Sequence, residues 1–337
     1  MSKISYILFL SLITLVPAFG QDVTFSQFFA APIQLNPALA GVTGAPRINI
    51  NYRNQWPNWP NAYRTYAISY EQPLDFVNSS LGIRALTDDA GDGIYRTNSV
   101  AAVYGYHLRM DNNTSVRFGI EAGILQTRLD WDKLLFGDQL DPLLGGDASQ
   151  FTEETRPDNL QRTDLDFSAG LVVSGETFYG GIVLHNLNRP DESVLEINDN
   201  LRTGRPLRLT VHGGAQINFE GGNNRYGESF ISPSILYARQ ADFSQLTVGM
   251  YSGYKSVFGG LWYRHTGNNA DAAIALVGFH YQTLRIGYSY DLTISGLSVG
   301  TTGGTHELSL SISFADSDAR QRRRSRTRYN DCFGLFK

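Results

Sequence analysis

The chain has 337 residues, 42% hydrophobic, 12% aromatic and 18% charged, with a formal net charge of −4 and a single cysteine, Cys332. One cysteine excludes an intramolecular disulfide framework, and after the first twenty residues no run of about 18 apolar residues occurs, which excludes membrane-spanning helices. The tail 315–337 carries seven basic and three acidic residues, so the body of the chain is strongly acidic, and nucleic acid is not an expected partner.

Residues 1–20 read as a secretory leader, with Lys3, an apolar stretch over 7–16 and the small-residue exit Ala18-Phe19-Gly20. The apolar stretch is too short to cross a bilayer as a helix. Gln21 at the exit is not a cysteine, so a lipid anchor there is unsupported, and the mature chain is expected to begin near Gln21. Residues 21–46 then mix Phe25, Phe28, Phe29 and Leu35 with polar side chains, and Asn36-Pro37 reads as a tight turn.

From residue 47 apolar and polar residues alternate with period two, the mark of strands with one apolar face. Such stretches occur at 47–53, 63–72, 81–88, 99–108, 116–124, 164–175, 178–186, 207–219, 230–240, 245–254, 257–265, 272–281, 284–291 and 306–314. The last is the plainest, with Leu308, Leu310, Ile312 and Phe314 facing one way and Ser309, Ser311 and Ser313 the other. About fourteen such strands behind a secretory leader specify an all-β fold, a transmembrane antiparallel outer-membrane β-barrel over 47–314.

Connection lengths support this, because bacterial barrels alternate short periplasmic turns with long outer loops. The connections 111–113, 174–177, 255–256 and 282–283 are short, and they follow even-numbered strands. The two longest, 131–163 and 187–204, follow odd-numbered ones. Residues 220–228 are long for a periplasmic turn and break the pattern locally. An even strand count places both chain ends in the periplasm. The lumen then offers residues 21–46 a place to bury their aromatics as a plug, and the underside of the rim offers another. Arg117, Glu121, Arg208 and His212 face the lumen, which fits a wet channel or a charge-paired filled core.

No catalytic, cofactor or metal residues are assigned. The acidic run Asp88-Asp89-Ala90-Gly91-Asp92-Gly93 lacks the spaced oxygen ligands and closing Glu of a calcium loop, so it reads as a solvated turn. The histidines His107, His185, His212, His265, His280 and His306 are scattered, and His306 and Glu307 point to opposite faces of one strand. The tail holds Arg320, Arg322, Arg323, Arg324, Arg326 and Arg328, then Phe333 and Phe336. Arginines at that density suit anionic lipid headgroups or acidic periplasmic partners, against the plainer reading of a solubilising tail. The two phenylalanines favour docking. Cys332 is a bystander or a cross-linking thiol.

Three motifs near the start occur in order: Phe25-Ser26-Gln27, then Asn36-Pro37-Ala38-Leu39-Ala40-Gly41, then Tyr52-Arg53-Asn54-Gln55-Trp56. With Tyr70-Glu71-Gln72-Pro73-Leu74, Leu81-Gly82-Ile83 and Phe178-Tyr179-Gly180-Gly181 they make the chain resemble the PorP/SprF family of Bacteroidota outer-membrane proteins, over about residues 22–314. The resemblance implies a non-enzymatic barrel of the type IX secretion and gliding machinery that exports or holds secreted cargo, in particular adhesins with a C-terminal sorting domain. It carries over no catalytic residue. The outer loops 131–163 and 187–204 are expected to grip cargo. The tail is expected to contact periplasmic type IX components or a peptidoglycan-associated protein. The rival reading is a passive channel or hydrophobic-solute transporter in the outer-membrane lipid.

Overall fold

The computed structural model describes residues 21–59, 62–111, 113–141, 145–146, 151–194, 204–219, 229–267, 269–295 and 299–314. The expected leader and the tail with Arg320, Arg322, Arg323, Arg324, Arg326, Arg328, Phe333 and Phe336 lie outside these residues, as does the 220–228 connection. Among the described residues fourteen antiparallel strands form one closed ring. They are β1 (Arg47–Gln55), β2 (Tyr63–Leu74), β3 (Ser79–Ala90), β4 (Tyr95–Arg109), β5 (Ser115–Leu129), β6 (Gln161–Ser174) and β7 (Phe178–His185). β8 (Arg208–Ala215, resuming as Ile217–Phe219), β9 (Ser229–Gln240), β10 (Phe243–Tyr254), β11 (Val257–Thr266), β12 (Asn269–Tyr281), β13 (Leu284–Thr293) and β14 (Thr305–Ser313) complete it. Closure is β1 against β14, in unbroken register from Arg47 opposite Ser313 to Gln55 opposite Thr305. No helix among the described residues is long and apolar enough to cross a membrane.

Several strands exceed their expected spans, β5 by five residues at its far end, because backbone pairing continues after side-chain alternation fades. The expected continuous strand over 207–219 is interrupted instead. Pairing of β8 with β9 stops at Gly214 opposite Ser234 and resumes at Ile217 opposite Ile231. Pro233 sits in that gap and has no N–H to give, while the Gln216 N–H turns back to the Thr177 carbonyl at 2.7 Å.

The wall is inverted relative to a soluble protein. Ile68, Ile83, Ile120, Leu261 and Val277 are outward and at least half exposed, whereas Arg47, Asn49, Asn51 and Arg53 of β1 point inward and are buried. A continuous apolar exterior of this extent is a lipid-facing surface. Burial of the inward polar residues needs something in the lumen to cover them, and residues 22–46 do so.

Arg47 and Ser313 lie at the short-turn end of the barrel, with the turns before β3, β5, β7, β11 and β13. Asp22 lies at the opposite, long-loop end: its backbone N–H donates to Gln240 Oε1 at 2.8 Å, and its carboxylate accepts from Asn186 at 2.8 Å. The even strand count leads one to expect both chain ends on the short-turn side. Residue 22 departs from this because residues 25–42 run the length of the lumen before β1 begins.

Candidate functional site in the barrel lumen

The segment descends in three short helical turns, Phe28–Ala30, Pro32–Leu35 and Pro37–Leu39. No turn is long enough to be stable alone; the wall holds each of them. Near the long-loop end, Ser26 Oγ donates to Asp291 at 2.6 Å and accepts from Arg53 at 3.2 Å and Arg264 at 3.0 Å. The backbone N–H groups of Ser26 and Gln27 both donate to the Glu307 carboxylate, at 2.8 and 2.9 Å, and Arg53 pairs with the same carboxylate. The Gln27 amide donates to Ser289 and accepts from Ser309 at 2.7 Å. Arg53 and Arg264 thus pair with the carboxylates Asp271, Asp291 and Glu307 around a serine with little bulk, as buried charges require.

In mid-lumen the segment turns apolar. Phe29 stacks on Trp262 with ring centroids 5.8 Å apart and lies 5.2 Å from Tyr251. Phe28 meets Trp262 edge-on, and the Arg285 guanidinium sits 4.4 Å from the Phe258 centroid. These rings belong to one buried cluster with Leu35, Leu39 and Val42, which joins β10, β11 and β12 on one side to β6 and β7 on the other.

Asn36 makes the tight turn. It is fully buried, its side chain caps the Ala38 N–H at 2.9 Å, and its Nδ2 reaches His212 Nε2 at 3.0 Å. The wall makes room with glycine: a Cβ on Gly119 would stand 2.1 Å from the Ala38 nitrogen, and one on Gly170 would stand 2.0 Å from Asn36 Oδ1. Pro37 opens the turn that Gly119 receives. Below it, Gly41 has φ +67°, and its N–H donates to Glu71 at 2.8 Å. Glu71 is fully buried and also takes Arg47 Nε at 2.6 Å.

The motif residues therefore divide. Ser26, Gln27 and Arg53 converge, with Gln55 accepting from Arg53 at 3.0 Å. Phe25 packs with Ala31, Ala67 and Leu86, while Asn36, Pro37 and Gly41 form the lower turn. Tyr52 faces outward against Tyr66, centroids 5.0 Å apart. Trp56 leaves β1 at φ +60° and meets Trp59 and Tyr63 edge-on at the long-loop rim. Sequence reasoning gave no lumenal role to Glu71, Asp291 or Glu307, although Glu71 stands in a family motif; the available signal was an acidic residue at an inward position of a strand with at most one other charge.

Above the segment, toward the long loops, is a vestibule of about 530 Å³ whose walls include Trp56, Tyr63, Tyr95, Arg205, Arg264 and Asp271. At its side Asp22 pairs with Arg205 at 3.0 Å, and Arg205 with Glu192 at 2.7 Å. Burial opposes ionisation of Asp22, but the Arg205 and Arg208 guanidiniums outweigh it and hold the carboxyl below the usual aspartate range. For Glu192 burial prevails and raises the carboxyl above its usual range despite Arg205. Among the described residues no three His, Cys, Asp or Glu side chains converge as a metal site. In the acidic run, Asp88, Asp89 and Ala90 end β3 and the turn begins at Gly91, with Asp89 paired to Arg96 and the Asp92 carbonyl accepting from Lys133.

No curated protein matches the sequence. Among solved structures, the CymD monoaromatic hydrocarbon channel aligns with 11% identity and a TM-score of 0.44, over 85% of this chain and 93% of that one. A mutant of Rh. blastica porin aligns with 8% identity and a TM-score of 0.35, over 80% of this chain and 99% of that one. Residues 18–312 match the family model described as type IX secretion system membrane protein PorP/SprF, and the chain belongs to that family.

Proposed function

We propose that the protein is a non-enzymatic outer-membrane component of type IX secretion that holds a secreted protein, one bearing a C-terminal sorting domain, at its long-loop end. The observation that carries this reading is the lumen. Phe28, Phe29, Leu39 and Trp262 join opposite walls in one core, which argues against a solute path along the axis, while the vestibule opens toward the long loops. That asymmetry suits a docking barrel better than a passive channel or hydrophobic-solute transporter. The short-turn end faces the periplasm, as in bacterial barrels generally, and loops 131–163 and 187–204 contact the cargo. The arginine tail extends from β14 into the periplasm toward type IX components or a peptidoglycan-associated protein.

Tagged protein isolated from outer membranes in mild detergent tests this, comparing the full chain with one ending at Phe314. The expected result is a sorting-domain protein retained by both forms and periplasmic partners lost on truncation. Protein that purifies alone and forms solute-selective pores in planar bilayers would replace this reading with the channel.

A further inference from the structure

A second cavity, of about 90 Å³, lies between the N-terminal segment and strands β3 to β6, and it shares the walls Asp22, Thr24, Asp88 and Arg205 with the vestibule. Its lining is apolar at Phe25, Phe28, Leu35, Leu86 and Leu125 and includes the polar side chains of Asp166 and Gln34 beside Arg84, Arg205 and Arg208. Asp166 points inward from β6, is 8% exposed, and its Oδ1 has no hydrogen-bond partner among the described residues. Gln34 Oε1 is in the same position.

The cations nearby are already committed. Arg84 lies across β4, where Ala101 is too small to obstruct it, and grips Glu121 with two hydrogen bonds of 2.7 and 2.5 Å. Arg205 holds Asp22 and Glu192, and Arg208 donates to Thr24 at 2.9 Å. Two buried acceptors in one pocket therefore lack donors, and leaving such groups unmet is costly. Their complement is a donor that also carries positive charge, on a stem that suits the apolar wall.

We propose that this cavity binds a primary ammonium group on a short alkyl stem, entering from the vestibule and donating to Asp166 and Gln34. The ammonium belongs either to a free alkylamine or to a lysine side chain of a docked protein. The site stands on these contacts alone and does not depend on the cargo reading.

Calorimetric titration of the purified full-length barrel in detergent tests it, using n-butylamine, n-butanol and Nα-acetyl-lysine methylamide as probes. Butylamine is expected to bind saturably and butanol not to. Asp166→Asn should weaken butylamine at least about tenfold, the scale of a lost hydrogen bond to a charged group, and Gln34→Met by a smaller factor. Binding of the lysine derivative assigns a protein side chain as the source, whereas binding of butylamine alone assigns a free amine. Absence of saturable butylamine binding, equal binding of butanol, or unchanged affinity in Asp166→Asn overturns the proposal. Heat-modifiable gel mobility checks folding; if Asp166→Asn does not fold, an unchanged affinity in Gln34→Met overturns it.

Discussion

At the scale of single residues, the fit between segment and wall is set by what glycine and serine leave out. A Cβ at position 119 would meet backbone atoms of Pro37 and Ala38, which cannot rotate away as a side-chain tip could. Gly119→Ala is therefore expected to displace the lower turn and expose residues 37–41 to protease in folded barrels, while Gly137→Ala, with nothing within 4 Å of the added carbon, leaves the digestion pattern unchanged. Ser26→Ala removes a hydroxyl that serves Arg53, Arg264 and Asp291 together, and should lower stability by about 1–3 kcal/mol, read as a reduced urea midpoint. Asp22 gives the pH dependence. Its carboxyl is held below the ordinary value, so its contribution is complete above roughly pH 4 and is lost as pH falls through its folded value. Fluorescence from a label at residue 21 should thus gain mobility on acidification, and Asp22→Asn should show that mobility already at neutral pH.

At the scale of elements, the N-terminal segment behaves as a removable part with contacts of its own. Deletion of residues 22–45 is expected to leave a heat-modifiable barrel whose conductance in planar bilayers rises well above that of the intact protein; equal conductance of the two would show that the lumen is blocked by something else. The strands were legible in the sequence because inward and outward residues differ in polarity at every second position, as Arg117 and Phe118 do. The break at Gln216 was not, since it depends on Pro233 of the neighbouring strand falling beside it, in the gap between Ser234 and Ile231. Nor could the partners of Ser26 be read, because Asp291 and Glu307 are 265 and 281 residues away and only the closure of β14 on β1 brings them near. The motif order marked Tyr52 and Arg53 equally, yet adjacent strand residues face opposite sides, and only Arg53 enters the lumen.

At the scale of the whole molecule, the two faces of the wall answer to different solvents. Leu261 lies mid-strand on β11 and is 67% exposed, so Leu261→Arg places a cation in the hydrocarbon and should cost about 2–4 kcal/mol in refolding titrations into lipid vesicles. Leu261→Phe should be close to neutral in the same titration. The interior is read from the opposite rule, with charge tolerated where it is paired, as at Arg84 and Glu121.

The direction in which residues 22–46 are laid has a mechanical consequence. Residue 22 is at the long-loop mouth, and the end joined to β1 is at the short-turn rim. A tug on residue 22 from the long-loop side would peel the turns away one after another and pay out a tether of up to about 80 Å without disturbing a single strand. The same force applied to the segment from the short-turn side must drag it back down the bore or pull on β1 itself. The barrel is thus a ratchet-like mount for its own leash, yielding readily to load from one side of the membrane and resisting it from the other.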